Sequence, residues 1–300
     1  IQFMHDDLWE KLSQVGQLAI LEDICDRSTE YFESIPAEQL SDEQLLSRCL
    51  TLRHIGTVWR DKRGDGYAKA MRALEASWRL ADNLVTRDPA LLGRLFERSQ
   101  CEFYLGETAL NQRSLDEAQA WLERYQESAA QLVELDPIDE DYAMELAWSE
   151  QALGAVLLAA SNPAEARRVF EEAVTHWRGI LADEGADPTL AEDLAAALAW
   201  LGKATLSSGD ITQATLRFAE STETWDQLLT PDTERRDWLF QAALVRQQLA
   251  KSHLLQGESP QALSILEASS AILMELCEWD PKNAEWSRAL ALNALHAGRS

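Results

Sequence analysis

Residues 106–122 read GETALNQRSLDEAQAWL, and their spacing decides the fold. Gly106 is followed twelve residues later by Ala118, and the large apolar residue Leu122 stands four residues beyond that alanine. The alanine returns every 48 residues, as Ala70, Ala118, Ala166, Ala214 and Ala262. Self-similarity at a fixed period of about 20–50 residues indicates a solenoid, in which each unit packs only on its neighbours.

A second small residue precedes each alanine of this series. The distance is twelve residues for Gly106, Gly154, Gly202 and Ala250, and fourteen for Gly56. A small residue late in one helix and an alanine early in the next let two backbones approach closely. We therefore expect each unit to be an antiparallel pair, with a helix A, a short turn and a helix B.

Helix starts and stops recur at the same period. Residues 41–44 (SDEQ) form a capping box, and further starts are marked by Ser114, Asn162-Pro163, Asp210 and Ser259-Pro260. Stops are expected at Asp88-Pro89, Asp136-Pro137, Asp187-Pro188, Thr230-Pro231 and Asp280-Pro281, because proline disfavours a helical residue before it. In the third repeat these signals predict helix A over residues 139–161 and helix B over 163–183.

Large apolar residues keep the same register. Four of them open successive A helices: Tyr142, Leu190, Trp238 and Trp286. Five more lie one turn after the alanines, on the expected buried face of helix B: Leu74, Leu122, Phe170, Phe218 and Leu266. Trp177 and Trp225 are also one period apart, so we interpret most of the eleven tryptophans as packing residues and not as a ligand cage.

This pattern resembles the tetratricopeptide repeat. The usual repeat has about 34 residues, whereas these have 48–50. The proline that usually ends helix B is replaced by Asp82, Ala130, Arg178, Asp226 and Met274, so helix B is expected to run one or two turns further. Residues 280–286 (DPKNAEW) are similar to the linker of long-repeat arrays in large bacterial multidomain signalling proteins.

The resemblance implies an all-α fold, a right-handed α-solenoid of about 13 helices. Residues 41–300 form the superhelix, in about five and a half repeats. Residues 1–40 do not fit the repeat, and we expect two capping helices there, over about 3–14 and 17–35, because a terminal unit lacks a neighbour. The first residue is Ile1 and not methionine, which is typical of a piece of a longer protein.

Composition excludes several functions. A net charge of −24 argues against nucleic-acid binding, where Lys and Arg must meet phosphates. The acidity either selects a partner or only keeps the helical surface soluble. No apolar run is long enough to insert into a membrane, and the location expected is cytoplasmic unless a transmembrane helix precedes Ile1. The four cysteines are isolated, which disfavours a disulfide framework or a zinc site.

No catalytic, metal or cofactor site is expected. His5-Asp6-Asp7 is the one cluster that suggests such chemistry, and at a helix start these carboxylates more plausibly act as caps. The other histidines share no ligand spacing, and no phosphate loop or nucleophile motif is present. The chain by itself is therefore predicted not to be an enzyme, although a catalytic domain outside it is compatible with the sequence.

Charge is unevenly distributed. Residues 48–79 hold eight Lys or Arg and three acids, whereas residues 125–166 hold nine acids and no Lys or Arg. Either this field steers a charged partner, or local ion pairs solvate the surface. The resemblance places helix A along the concave groove, where the candidate partner-binding residues are Arg53, Thr57, Arg60, Gln100, Glu107, Asn111, Trp148, Gln151, Lys203, Gln247 and Lys251.

The resemblance implies a protein-interaction or sensor module that binds a peptide, a helix or its own effector domain in the groove. Glu107 and Trp148 replace the Lys/Asn set of chaperone-binding members, so a chaperone-tail clamp is disfavoured. Two alternatives stay open: a self-association scaffold, giving a homo-oligomer, and a regulatory array of an enzyme whose catalytic domain lies elsewhere.

Overall fold

The structure is a computed structural model. It describes residues 25, 27–28, 30–32, 34–36, 39–60, 65–184, 188–229 and 235–298, so His5-Asp6-Asp7 and most of the expected capping helices lie outside the described residues. Among the described residues, eleven helices lie between residues 42 and 297, residues 25, 27–28, 30–32 and 34 are also helical, and no strand occurs. The helices are α1 Asp42–Arg60, α2 Gly66–Arg87, α3 Leu92–Asn111, α4 Leu115–Leu135, α5 Glu140–Ala159, α6 Pro163–Glu184, α7 Pro188–Ser207, α8 Ile211–Leu228, α9 Arg236–Gln256, α10 Ser259–Trp279 and α11 Ala284–Ala297.

Odd-numbered helices are the A helices and even-numbered ones the B helices, which confirms the predicted alternation. Each B helix of the pairs α1–α2, α3–α4, α7–α8 and α9–α10 packs closely on the A helix before it. The chain divides into two compact units, Ile1–Val156 and Leu157–Ser300, here called unit 1 and unit 2. The predicted helices of the third repeat are observed as α5 and α6, within two residues of their expected bounds.

The small residues mark the closest approach within a pair. A Cβ added at Gly106 would lie 2.6 Å from Cγ of Leu122 and 3.4 Å from the carbonyl oxygen of Ala118. A Cβ at Gly202 would lie 2.6 Å from Cε1 of Phe218. The expected close approach is confirmed, and the space above each glycine is filled by the large residue four positions after the alanine.

A buried serine ties helix B to its own helix A, a contact not predicted from the sequence. In three pairs its Oγ donates to a carbonyl oxygen of helix A: Ser77 to Cys49 at 2.7 Å, Ser221 to Ala195 at 2.6 Å and Ser269 to Ala243 at 2.9 Å. The bond spans 28 residues in the first pair and 26 in the others. The first pair therefore contains two extra residues, which also explains its wider glycine-to-alanine spacing.

The turn between helices A and B is built in the same way four times. One residue has a positive φ in each, with Arg113 at 61°, Ser161 at 63°, Gly209 at 89° and Gly257 at 78°. The next residue then donates its N–H to the carbonyl five residues back, as from Asp210 to Thr205 at 3.2 Å. This left-handed conformation suits glycine and strains other L-residues, so two of the four turns are strained.

Most predicted helix starts are confirmed. The Ser41 amide donates to Gln44 Oε1 at 2.9 Å and the Gln44 amide to Ser41 Oγ at 3.3 Å, which completes the capping box. Asp210 also caps with its side chain. The start predicted at Ser114 is confirmed, because Ser114 occupies the N-cap position of α4, although its side chain forms no capping hydrogen bond. Thr230-Pro231 lies outside the described residues.

The B helices are lengthened as expected. Three of them end five residues beyond the position where proline was expected, namely α2, α4 and α10. By contrast, α8 ends only two residues beyond Asp226. In the linker that follows α10, Oδ1 of Asn283 accepts the amides of Glu285 and Trp286 at 3.1 and 3.2 Å, so this asparagine caps α11.

The core consists of the residues that keep the 48-residue register. Leu74, Leu122, Phe170, Phe218 and Leu266 are all buried. Trp177 and Trp225 are buried as well, which confirms their packing role. The indoles of Trp148 and Trp279 are the exposed exceptions among the described tryptophans.

Candidate functional site

In unit 1 the candidate arginines of α1 are held by carboxylates of α3. Arg53 Nη2 lies 3.1 Å from Glu97 Oε2, with both side chains about four-fifths or more buried, and Arg60 pairs with Glu107. Both guanidinium groups also lie over the ring of Tyr104, at 5.8 and 5.9 Å from its centroid. These arginines therefore join neighbouring A helices, in agreement with the local-ion-pair interpretation of the basic segment.

Gln100 is also used inside the protein. Its Nε2 donates to Glu145 Oε1 of α5 at 2.5 Å, and the Tyr125 hydroxyl donates to the same oxygen at 2.5 Å. The carboxylate is buried, and burial raises the pKa of Glu145. The polar row from Arg53 to Glu145 thus stabilises the A-helix face of unit 1.

The other candidates of unit 1 are more accessible. Asn111 is exposed at the end of α3, Trp148 is 39% exposed on α5, and Gln151 is half-buried. The Thr57 hydroxyl donates to the carbonyl of His54 within its own helix at 2.8 Å. Trp148 is therefore the large apolar side chain that α5 leaves partly open to solvent.

In unit 2 the three candidates differ. Gln247 is buried and its amide donates to Ala289 O at 3.1 Å and Asn293 Oδ1 at 2.7 Å, so it ties α9 to α11 and does not face a partner. Lys251 is exposed. Lys203 is half-buried, with Nζ 3.9 Å from the ring centroid of Trp200.

Lys203 lines an open cavity of about 440 Å³ between α7 and α9. Helix α7 contributes Glu192, Asp193, Ala196, Ala199, Trp200 and Lys203, helix α9 contributes Gln241, Leu244, Val245 and Gln248, and α8 contributes Trp225. The volume falls within the range of about 300–1,000 Å³ typical of ligand sites. Small side chains at 196 and 199 leave the space that a larger residue would fill.

Two polar groups of this cavity lack a carboxylate or hydrogen-bond acceptor among the described residues. Lys203 forms no ion pair there, and burial lowers its pKa. The indole Nε1 of Trp225, a residue 2% exposed, finds no acceptor. At the other end the Glu192 carboxylate is satisfied, because it accepts from Trp238 Nε1 at 2.6 Å and from Arg235 Nη2 at 3.3 Å.

A second cavity, of about 570 Å³, lies on the B-helix side of unit 1, between α2, α3 and α4. Its wall includes the buried Glu102, which accepts from Ser128 Oγ at 2.6 Å and Trp78 Nε1 at 3.0 Å. Burial raises the pKa of Glu102 to about 7. This carboxyl is not among the candidates predicted from the sequence, although the spacing Leu95, Ser99, Glu102, Gly106 places it on the apolar stripe of α3.

Among the described residues, no helix is both long and apolar enough to cross a bilayer. In the same residues, no group of three or more His, Cys, Asp or Glu side chains is placed to hold a metal ion.

No protein-family model and no curated protein matches the sequence. Solved structures do resemble the fold. BtubC (BKLC) from P. vanneervenii is 13% identical, with 87% of this chain and 91% of that one covered and a TM-score of 0.64. A putative kinesin light chain from Podosopora anserina, with nearly identical TPR-like repeats, is 15% identical over 78% and 98% of the two chains, with a TM-score of 0.53.

A Rap protein complexed with Competence and Sporulation Factor is 16% identical over 97% of this chain and 74% of that one, with a TM-score of 0.50. At these identities the likeness concerns the fold. Together with the packed helix pairs and their 48-residue register, it shows that the chain has an all-α, tetratricopeptide-like solenoid fold.

Proposed function

We propose that the chain is a protein-interaction module that receives a peptide or helix on its A-helix face. The observation that carries the proposal is the cavity between α7 and α9, whose lining includes a half-buried ammonium group that no carboxylate among the described residues pairs with. The Rap structure named above, which is similar in fold, holds a bound factor. That similarity supports a binding role for the face without identifying the ligand.

The candidate side chains of unit 1 are less available to a ligand than those of the cavity. Its candidate arginines and Gln100 are engaged with Glu97, Glu107 and Glu145, so a ligand would have to displace these partners. We therefore centre recognition on unit 2, with Lys203 as the principal contact. Asn111, Trp148 and Gln151 remain proposed contacts, since their side chains are at least partly accessible.

The module is proposed to act as a cytoplasmic sensor within a larger bacterial signalling protein, where it binds a separate partner or its own effector domain. The long period and the 280–286 linker favour this context. Translating the reading frame upstream of Ile1 tests it: an effector domain there supports the proposal, and an immediate start codon contradicts it.

The binding function is tested by selecting peptides from a displayed heptapeptide library on the full chain. Affinities of the selected peptides are then measured by calorimetry for Ala196→Trp, which fills the cavity, and for Leu216→Trp. Leu216 is 56% exposed on α8 and serves as the control. Binding lost in Ala196→Trp alone supports the A-helix face, whereas equal affinity for both variants contradicts it.

Self-association is a second candidate function, favoured by the apolar surface of α11. Leu292 and Leu295 are 40% and 49% exposed there. If this surface mediates assembly, light scattering will show an oligomer that dissociates in Leu292→Glu/Leu295→Glu. A concentration-independent monomer rules the candidate out.

A further inference from the structure

The α7–α9 cavity has acidic side chains at one end and a lysine at the other. The inference drawn from it rests on the proposed peptide-binding function. Glu192 and Lys203 lie eleven residues apart on the same helix, which at 1.5 Å per residue separates them by about 16 Å. One end of the cavity therefore carries the carboxylates of Glu192 and Asp193, and the other carries an ammonium group. An extended peptide needs about five residues to cover that length.

The positive end lacks the partner that such a group needs. Lys203 has lost part of its hydration to Trp200 and the neighbouring helix, yet no carboxylate among the described residues replaces it. Removing a cation from water without pairing it costs free energy. Arg53 of unit 1, buried to a similar or greater degree, has Glu97 opposite it. The missing element at Lys203 is thus an anion.

Trp225 also lines this cavity. Its indole N–H is buried and has no acceptor among the described residues, and an indole can donate but not accept. The side chains of Gln241 and Gln248 line the opposite wall, on α9. A ligand that completes this lining must bring a negative charge to Lys203, and a carboxylate supplies that charge together with acceptors for amide donors such as those of Gln241 and Gln248.

We infer that the cavity binds an acidic side chain of a partner peptide, with its carboxylate on the Lys203 ammonium and the flanking residues extended along α7 towards Glu192. The chain's charge of −24 repels a uniformly acidic partner. The preferred segment therefore carries a single Asp or Glu among uncharged residues.

The experiment repeats the heptapeptide selection on the full chain and compares Lys203→Met with Lys251→Met. Lys251 stands one period later, is exposed and does not line the cavity, so it is the matched control. Selected peptides are synthesised with their acidic residue intact and with Glu→Gln or Asp→Asn. Circular dichroism confirms that both protein variants stay helical.

We expect an acidic residue to be enriched, and its neutralisation to weaken binding about tenfold or more, as for a charge-assisted hydrogen bond. Lys203→Met is expected to produce the same loss, with no further loss when both changes are combined, while Lys251→Met stays within about twofold. A contrary result would be peptides that lose binding to Ala196→Trp yet need no acidic residue, or that still bind Lys203→Met. Such peptides overturn the inference and leave the proposed function standing. A library that yields no binder overturns both.

Discussion

Replacing Gly202 with alanine tests the close approach that sets the helix pairs. The new Cβ would stand 2.6 Å from Cε1 and 2.8 Å from Cδ1 of Phe218, below any ordinary van der Waals contact. Phe218 is fully buried, and its rigid ring has no free space to enter. Gly179, near the C-terminal end of α6 in the same unit, is the matched control, because a Cβ there meets nothing within 4 Å.

The two substitutions gain the same helix propensity, about 1 kcal/mol for alanine over glycine. Gly179→Ala should therefore stabilise the protein by about that amount. In Gly202→Ala the overpacked contact costs about 1–3 kcal/mol, which cancels or exceeds the gain. The difference between the two variants, about 1–3 kcal/mol, isolates the cost of pushing α7 and α8 apart.

Urea unfolding followed by the helical circular dichroism signal at 222 nm measures both variants. The second substitution Phe218→Leu should reduce the cost in Gly202→Ala, because the α9–α10 pair already places Ala250 with Leu266 at the equivalent positions. If Gly202→Ala is as stabilising as Gly179→Ala, the close-packing account of the repeat is refuted.

Three further predictions concern a turn and two buried carboxylates. Arg113→Gly should raise the urea midpoint, because it removes the strain of a non-glycine residue in the left-handed conformation, about 1 kcal/mol. Gly209→Ala should lower the midpoint, because it introduces the same strain. Unchanged midpoints in both variants would contradict the strain. Burial raises the pKa of Glu102 from 4.5 to about 7, so between these pH values the folded chain keeps a proton that the unfolded chain releases. The free energy of unfolding should therefore fall by about 3 kcal/mol as the pH rises through that interval. Glu102→Gln should remove this decline, and unfolding curves with the same pH slope as wild type would refute it. Arg53→Met should lower the unfolding free energy by about 1–3 kcal/mol at pH 7, since Glu97 is left buried without its cation, whereas an unchanged midpoint would show that the pair contributes nothing.

The features that the sequence predicts well are those that repeat with the period. Gly106 and Leu122 indicate a contact between two helices, because a larger residue at either position would separate them. The sizes of these residues are visible in the sequence itself. Helix ends were predictable for the same kind of local reason, as at Ser41 and Gln44. Such signals need no knowledge of distant residues.

The candidate site was less predictable, because it depends on contacts between helices about 45 residues apart. Arg53 and Gln100 appear available in the sequence, yet Glu97 and Glu145 engage them once neighbouring A helices are packed. Lys203 keeps no such partner among the described residues, and nothing in its local sequence distinguishes it from the exposed Lys251. Only the packing of α7 and α9 separates the two lysines.

The serine-to-carbonyl bonds of three helix pairs affect how the chain reaches this fold. Each closes over only 26–28 residues, as from Ser221 to Ala195, so these pairs complete their own ties before distant parts of the chain meet. Low contact order of this kind favours rapid folding that can start in any pair and spread to its neighbours. Deleting 48 residues between equivalent points would leave the remaining helix pairs intact. Deleting 24 residues from the middle of an A helix would join its first half to the middle of a B helix.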